Sequence, residues 1–147
     1  FANSLKIGTA EYSEVFIFFE LSIFTKIINR EIPADIFFED EKYIAILDID
    51  PIRDGHVLVI PKKETDYIFD LNEEEYKELM SVSKKIAELL TEKLKGKLHF
   101  SKVAMIVEGL QVPHVHVHLV PLIDDVGLTV GRQNKLSLDE VREILFN

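Results

Sequence analysis

The sequence predicts a single α+β domain in which a five-stranded antiparallel sheet packs with one short helix, one long helix and a C-terminal helix. Three observations carry that prediction. Five short segments rich in β-branched and aromatic residues follow one another, most across short polar connections, as neighbouring antiparallel strands do. One run, residues 73–95, keeps its apolar residues at three- and four-residue spacing throughout. Two shorter runs with helical spacing each stand behind a serine placed to cap them.

In chain order, residues 1–21 read as an extension preceding a domain that spans 22–147. The extension ends in the apolar run VFIFF at 15–19, suited to an added strand and bracketed by Glu14 and Glu20. No basic segment leads into that run and no small-residue cleavage site follows, so it is not read as an export signal. Ile23, Phe24, Ile27 and Ile28 predict a helix over 23–29, with Ser22 as its cap and Pro33 just past its end. Ile36–Glu39 and Tyr43–Asp48 read as two strands around a tight polar turn, the second alternating less cleanly than the first.

The loop DIDPIRDG (48–55) leads into the β-branched strand from His56 to Pro61, which should form a hairpin with the strand before it. Asn72 opens the long helix, which is acidic at its start, lysine-rich toward its end and stopped by Gly96, in line with the helix dipole. A strand at Lys102–Val107, the connection EGLQVP and the alternating stretch VPHVHVHLVPL (112–122) complete the sheet. Ser137 with Glu140 forms a capping box for a last helix running through Leu145. Connections this short predict a meandering sheet with its helices on one side.

Composition limits what such a domain does. The 147 residues, 47% of them apolar, suffice for one well-filled core. A formal charge of -9 argues against nucleic acid as the partner, because a backbone binder needs a basic stripe. A small anionic ligand stays compatible, since a few local donors hold one phosphate group. The absence of cysteine excludes disulfides, thiolate zinc sites and a cysteine nucleophile, and fits the cytoplasm as the expected compartment. No apolar run is long enough to span a membrane.

Three of the five histidines, His114, His116 and His118, alternate with Val115, Val117 and Leu119. On an extended strand the imidazoles share one face and the aliphatics the other. Residues two apart on a strand lie about 6.8 Å apart, so three rings on one face can converge on a zinc ion, with Glu108 or His56 as a fourth ligand. The same rings also suit covalent catalysis. A neutral imidazole attacks phosphorus when a neighbour fixes which nitrogen carries the proton and others stabilise the phosphoryl oxygens. Gln111, just ahead of Pro113, supplies an amide able to donate to a phosphate oxygen or a leaving group.

The stretch His114-Val115-His116-Val117-His118-Leu119-Val120 resembles the histidine triad signature, His-φ-His-φ-His-φ-φ with φ apolar. The upstream segments IFTKIINREIPADIFFEDEKYIAILDIDP and GHVLVIPKK resemble the N-terminal half of histidine triad nucleotide-binding proteins, so that the likeness covers about residues 23–122. It implies a HIT-like fold that dimerises, the sheet continuing from one subunit into the next, and hydrolysis or transfer at the α-phosphate of a purine nucleotide conjugate without a cofactor. Under that resemblance His116 is the nucleophile, His118 contacts the phosphate, and His114 and His56 orient and support. Asp48 matches the acid that holds the ribose hydroxyls, and Phe24, Ile27, Ile32, Ile49 and Leu58 match the apolar wall around the base. Every matched position follows the extension 1–21, which is expected to be dispensable for chemistry.

The sequence departs from the pattern at four places. Only EGLQVP stands where many relatives carry a longer glycine- and serine-containing segment, Gln111 replaces a serine or threonine, Val107 replaces an asparagine, and no tryptophan follows Asp124. The leading expectation is a nucleotide hydrolase acting on a phosphoramidate, an aminoacyl adenylate or a dinucleoside polyphosphate. The alternatives are a zinc-binding protein using the three-histidine strand and a nucleotide-binding module with little turnover.

Overall fold

The structure is a computed structural model that describes residues 2–7 and 15–147, the stretches 2–7 and 15–20 by their backbone alone. Strands β1 (Ala2–Ile7) and β2 (Val15–Glu20) pair antiparallel in a two-stranded sheet of their own. Helix α1 (Ile23–Ile28) begins at Ser22, whose hydroxyl accepts from the Thr25 amide. Strands β3 (Ile36–Glu39), β4 (Tyr43–Leu47) and β5 (Val57–Pro61) precede the long helix α2 (Glu73–Leu94). Strands β6 (Lys102–Ile106) and β7 (Val117–Leu122) and helix α3 (Leu138–Phe146) close the chain. Among the described residues no helix is long and apolar enough to cross a membrane.

The predicted α+β class and all five strands of the main sheet are present, every neighbouring pair antiparallel. The order is β3-β4-β5-β7-β6, so the meander is incomplete: β7 takes the place beside β5 and β6 forms the outer edge. The expectation of helices on one side also needs correction. Tyr43, Ala45, Leu47, Val57, Val59, Val117 and Leu119 point into the core filled by Leu79, Ile86, Leu90 and Leu94 of α2 and Val141 and Leu145 of α3. The alternate residues Ile44, Ile46, Leu58 and Ile60 pack against Phe24 and Ile27 of α1 on the opposite face. Strands β4 and β5 are thus buried on both sides, which is why YIAIL shows no polar alternation.

Local chemistry sets the element ends. Asp40 accepts from the amides of Lys42 and Tyr43 at 2.9 and 2.7 Å and so makes the β3–β4 turn. Asn72 with Glu75 and Ser137 with Glu140 close reciprocal capping boxes on α2 and α3. Gly55 ends the 48–55 loop at φ +84°, and a Cβ there would lie 3.1 Å from Leu94 and 3.2 Å from Pro121. Only glycine meets both demands. The loop can therefore turn tightly against the core and deliver His56 to the start of β5.

The histidine stretch is a strand only from Val117 onward. Before it the amide of Val115 bonds to the Thr65 carbonyl, beyond the end of β5, and the Pro61 carbonyl is taken by the His114 ring. Side-chain bonds replace the ladder there. Val115, Val117 and Leu119 still enter the core as the alternation predicts.

Candidate active site

The hydrogen bonds of the four clustered histidines fix their tautomers. The Ile52 amide donates to His56 Nδ1 at 3.2 Å, which leaves the proton of a neutral His56 on Nε2. That nitrogen lies 2.8 Å from His118 Nδ1, so His56 donates to His118 and the His118 proton resides on Nε2. His116 Nδ1 lies 2.7 Å from the His114 carbonyl, which only accepts; a neutral His116 therefore carries its proton on Nδ1 and a free lone pair on Nε2. His114 donates from Nε2 to the Pro61 carbonyl at 2.7 Å and accepts from the Ser22 hydroxyl on Nδ1 at 2.6 Å.

Burial favours the neutral form of three of these rings, His56, His114 and His118. It pushes His56 down to about 4, with neighbouring His118 adding to the effect and the Asp48 carboxylate, 3.5 Å from Nε2, opposing it. Burial likewise holds His114 and His118 below the ordinary imidazole value. His116 packs edge-on against Phe24, ring centroids 4.8 Å apart, and beside His118 at 4.7 Å. An unprotonated Nε2 next to a donating Nε2–H is a nucleophile beside a donor for an anionic oxygen.

These rings border a cavity of about 330 Å³, within the range of small-molecule sites. His56, His116 and His118 line it together with Asp48, Phe24, Leu58 and Gln111. His114 is fully buried outside it and acts on it through His116. Ile27 and Ile32 border a separate hollow of about 250 Å³, and Ile49 is 71% exposed and not part of the lining. A further cavity of about 370 Å³ near the start of α2 has Lys62, Lys63 and Glu75 in its wall and none of the histidines.

The cavity also receives residues that no sequence motif marks as part of it. Asp50, Ile52, Glu108 and Arg132 join the wall. Arg132 donates to the carbonyls of Asp50 and Pro51 at 2.7 and 2.8 Å and to the Asp50 carboxylate at 2.8 Å. Asp48 accepts from the Asp50 amide at 2.8 Å, which orients its carboxylate. Only the turn-rich composition of DIDPIRDG hinted at this assembly; nothing local announces an arginine that arrives from 82 residues away.

Among the described residues, Asp48, His56 and His118 bring three possible metal-binding atoms within 4.8 Å of one another. His114 and His116 are not among them. A metal at this site would use one histidine of the alternating stretch rather than three.

The HIT domain pattern matches residues 29–124. An uncharacterized HIT-like protein of Methanocaldococcus jannaschii is 38% identical over 128 residues, covering 82% of this chain and 95% of that protein. The adenosine 5'-monophosphoramidase of Saccharomyces cerevisiae is 36% identical over 111 residues, 74% of this chain and 68% of the yeast protein. Among solved structures, a Zn-bound histidine triad family protein from Mycobacterium smegmatis superimposes with a TM-score of 0.69 at 29% identity, covering 84% of this chain and 90% of that one.

Proposed function

The chain belongs to the HIT domain family, and from that premise we propose that it is a nucleotide hydrolase acting at the α-phosphate of purine nucleotide conjugates, nucleoside phosphoramidates foremost. The observation that carries the reading is the pair of opposed tautomers, a bare Nε2 on His116 beside a protonated Nε2 on His118. In the first step His116 Nε2 attacks the α-phosphorus, the bond to the leaving group breaks, and the leaving atom takes up a proton from solvent. In the second, water attacks the phosphorus and returns one proton to solvent, the phosphorus–nitrogen bond breaks with its electron pair going back to His116 Nε2, and the nucleoside monophosphate departs. His118 donates to a phosphoryl oxygen in both steps. Asp48 accepts from the ribose hydroxyls, while Phe24 and Leu58 offer apolar surface to the base. The phosphoramidase activity of the yeast relative supports the substrate class.

The test is turnover of an AMP phosphoramidate with the adduct trapped. Alkaline quenching and mass spectrometry should place one nucleoside monophosphate on His116. His116→Ala should abolish adduct and turnover together while the fold remains, whereas near-normal rates in that variant would refute the reading.

A second reading, metal binding, is favoured by the Asp48, His56 and His118 cluster and by the zinc in the M. smegmatis relative. The two separate on chelation. The hydrolase keeps its rate in excess EDTA, whereas a zinc-dependent protein loses it.

A further inference from the structure

The hydrogen bonds behind the triad continue past His114 to a carboxylate outside the cavity. Ser22 caps α1 by accepting from the Thr25 amide at 3.0 Å, and its own hydroxyl reaches His114 Nδ1 at 2.6 Å. Glu64, three residues beyond β5, takes the Ser22 amide at 2.8 Å and the Thr25 hydroxyl at 2.6 Å on the same oxygen. Burial opposes ionisation of Glu64, but these bonds from Thr25 and Ser22 outweigh it and hold the carboxyl below its usual range.

We propose that Glu64 is a positioning residue for His116: it sets the direction of the hydrogen bonds through Thr25 and Ser22 that hold His114, and the His114 carbonyl in turn holds the nucleophile. The proposal rests on the hydrolase reading for its effect on rate. A carboxylate only accepts, so the Thr25 proton must point at Glu64. That hydroxyl also lies 3.4 Å from both His114 Nδ1 and Ser22 Oγ; with its proton engaged it donates to neither, and at 3.4 Å it is a poorer acceptor of the Ser22 proton than His114 Nδ1 at 2.6 Å. The Ser22 proton is then the one directed at His114, whose own proton is driven to Nε2 and onto the Pro61 carbonyl. With both edges of the ring engaged, residue 114 cannot rotate, and its carbonyl stays 2.7 Å from His116 Nδ1.

The consequence appears during reaction. As phosphorus bonds to Nε2, the His116 ring becomes cationic and its Nδ1–H bond to the carbonyl tightens. A carbonyl displaced by a fraction of an ångström misdirects the attacking lone pair. Without Glu64 the Thr25 proton is released to either neighbour, and two bonding patterns become available to His114.

Glu64 is partly exposed, so its replacement leaves the core intact. Glu64→Ala should lower kcat about tenfold, the usual scale for an orienting partner behind a reacting group, with AMP affinity within about twofold of the parent. The ¹⁵N spectrum of His114 should then acquire an Nδ1–H form that the parent lacks. Glu64→Gln, whose amide oxygen accepts the same two hydrogens, should recover most of the rate and the parental spectrum. An unchanged kcat or an unchanged His114 spectrum in Glu64→Ala overturns the proposal, and so does a Glu64→Gln variant as slow as Glu64→Ala. Should the parent fail to turn over an AMP phosphoramidate, the hydrolase reading falls, while the His114 spectra still decide the hydrogen-bond relay.

Discussion

At the scale of single residues, the three alternating histidines hold three different jobs because their rings meet different partners. His114 is locked by Ser22 and Pro61, His116 is anchored to a carbonyl, and His118 is bonded to His56. His118→Ala should therefore cost rate rather than binding, removing one donor from the developing phosphoryl charge and lowering kcat on the order of a hundredfold to a thousandfold. Measured kcat and KM separate the outcomes: a rise in KM alone would mean that the ring binds substrate without favouring the transition state. The histidines were legible in the sequence since alternation is a local pattern. Arg132, Ser22 and Glu64 were not, because their importance arises from contacts made across the fold. Ser22 announced itself only as a helix cap, and its bond to His114 spans 92 positions.

At the scale of elements, the site depends on two loops that clasp each other. Arg53 is fully buried and donates to the carbonyls of Ile52, Gly127 and Gly131, with the Gly127 bond at 3.0 Å. Its neighbour Asp54 accepts from the amides of Lys135 and Leu136 at 2.8 and 3.1 Å. Between these grips lies Arg132, which the clasp carries to the cavity wall. Arg53→Met keeps the bulk but removes all three bonds to the carbonyls of Ile52, Gly127 and Gly131, a change worth about 3 kcal/mol, and should expose 127–136 to protease before the rest of the domain. Uniform protection of that segment would show that α3 alone holds it. The sequence marked 48–55 as a turn-rich loop and placed α3 from its capping box, yet offered no pairing between them. Strand order was lost in the same way: hydrophobic periodicity locates β6 and β7 but says nothing about which of them lies beside β5.

At the scale of the whole molecule, the sheet ends at β3 on one side and β6 on the other, each an outer strand without a described neighbour on its free side. Resemblance to a dimerising family predicts that the sheet continues across a subunit contact at such an outer strand, and light scattering should then return near twice the 16.9 kDa of one chain. A value for one chain at working concentration would count against it. Stability should also report the buried imidazoles. His56 sits at about 4 in the folded protein, and His114 and His118 lie below 6.5, all chiefly through burial. In the unfolded chain these rings titrate near 6.5. Between pH 6.5 and 4 the unfolded state therefore binds protons that the folded state refuses, so the stability present at pH 7.5 declines as pH falls through this window. For His56 alone the displacement corresponds to roughly 3 kcal/mol, lost progressively down to about pH 4. Urea midpoints measured at pH 7.5, 6 and 4.5 should fall in that order, and His56→Asn, with no ring to protonate, should flatten the decline. Equal midpoints across the series would mean that the folded state takes up these protons as readily as the unfolded chain. The neutral array on which His116 depends would then not be held by burial.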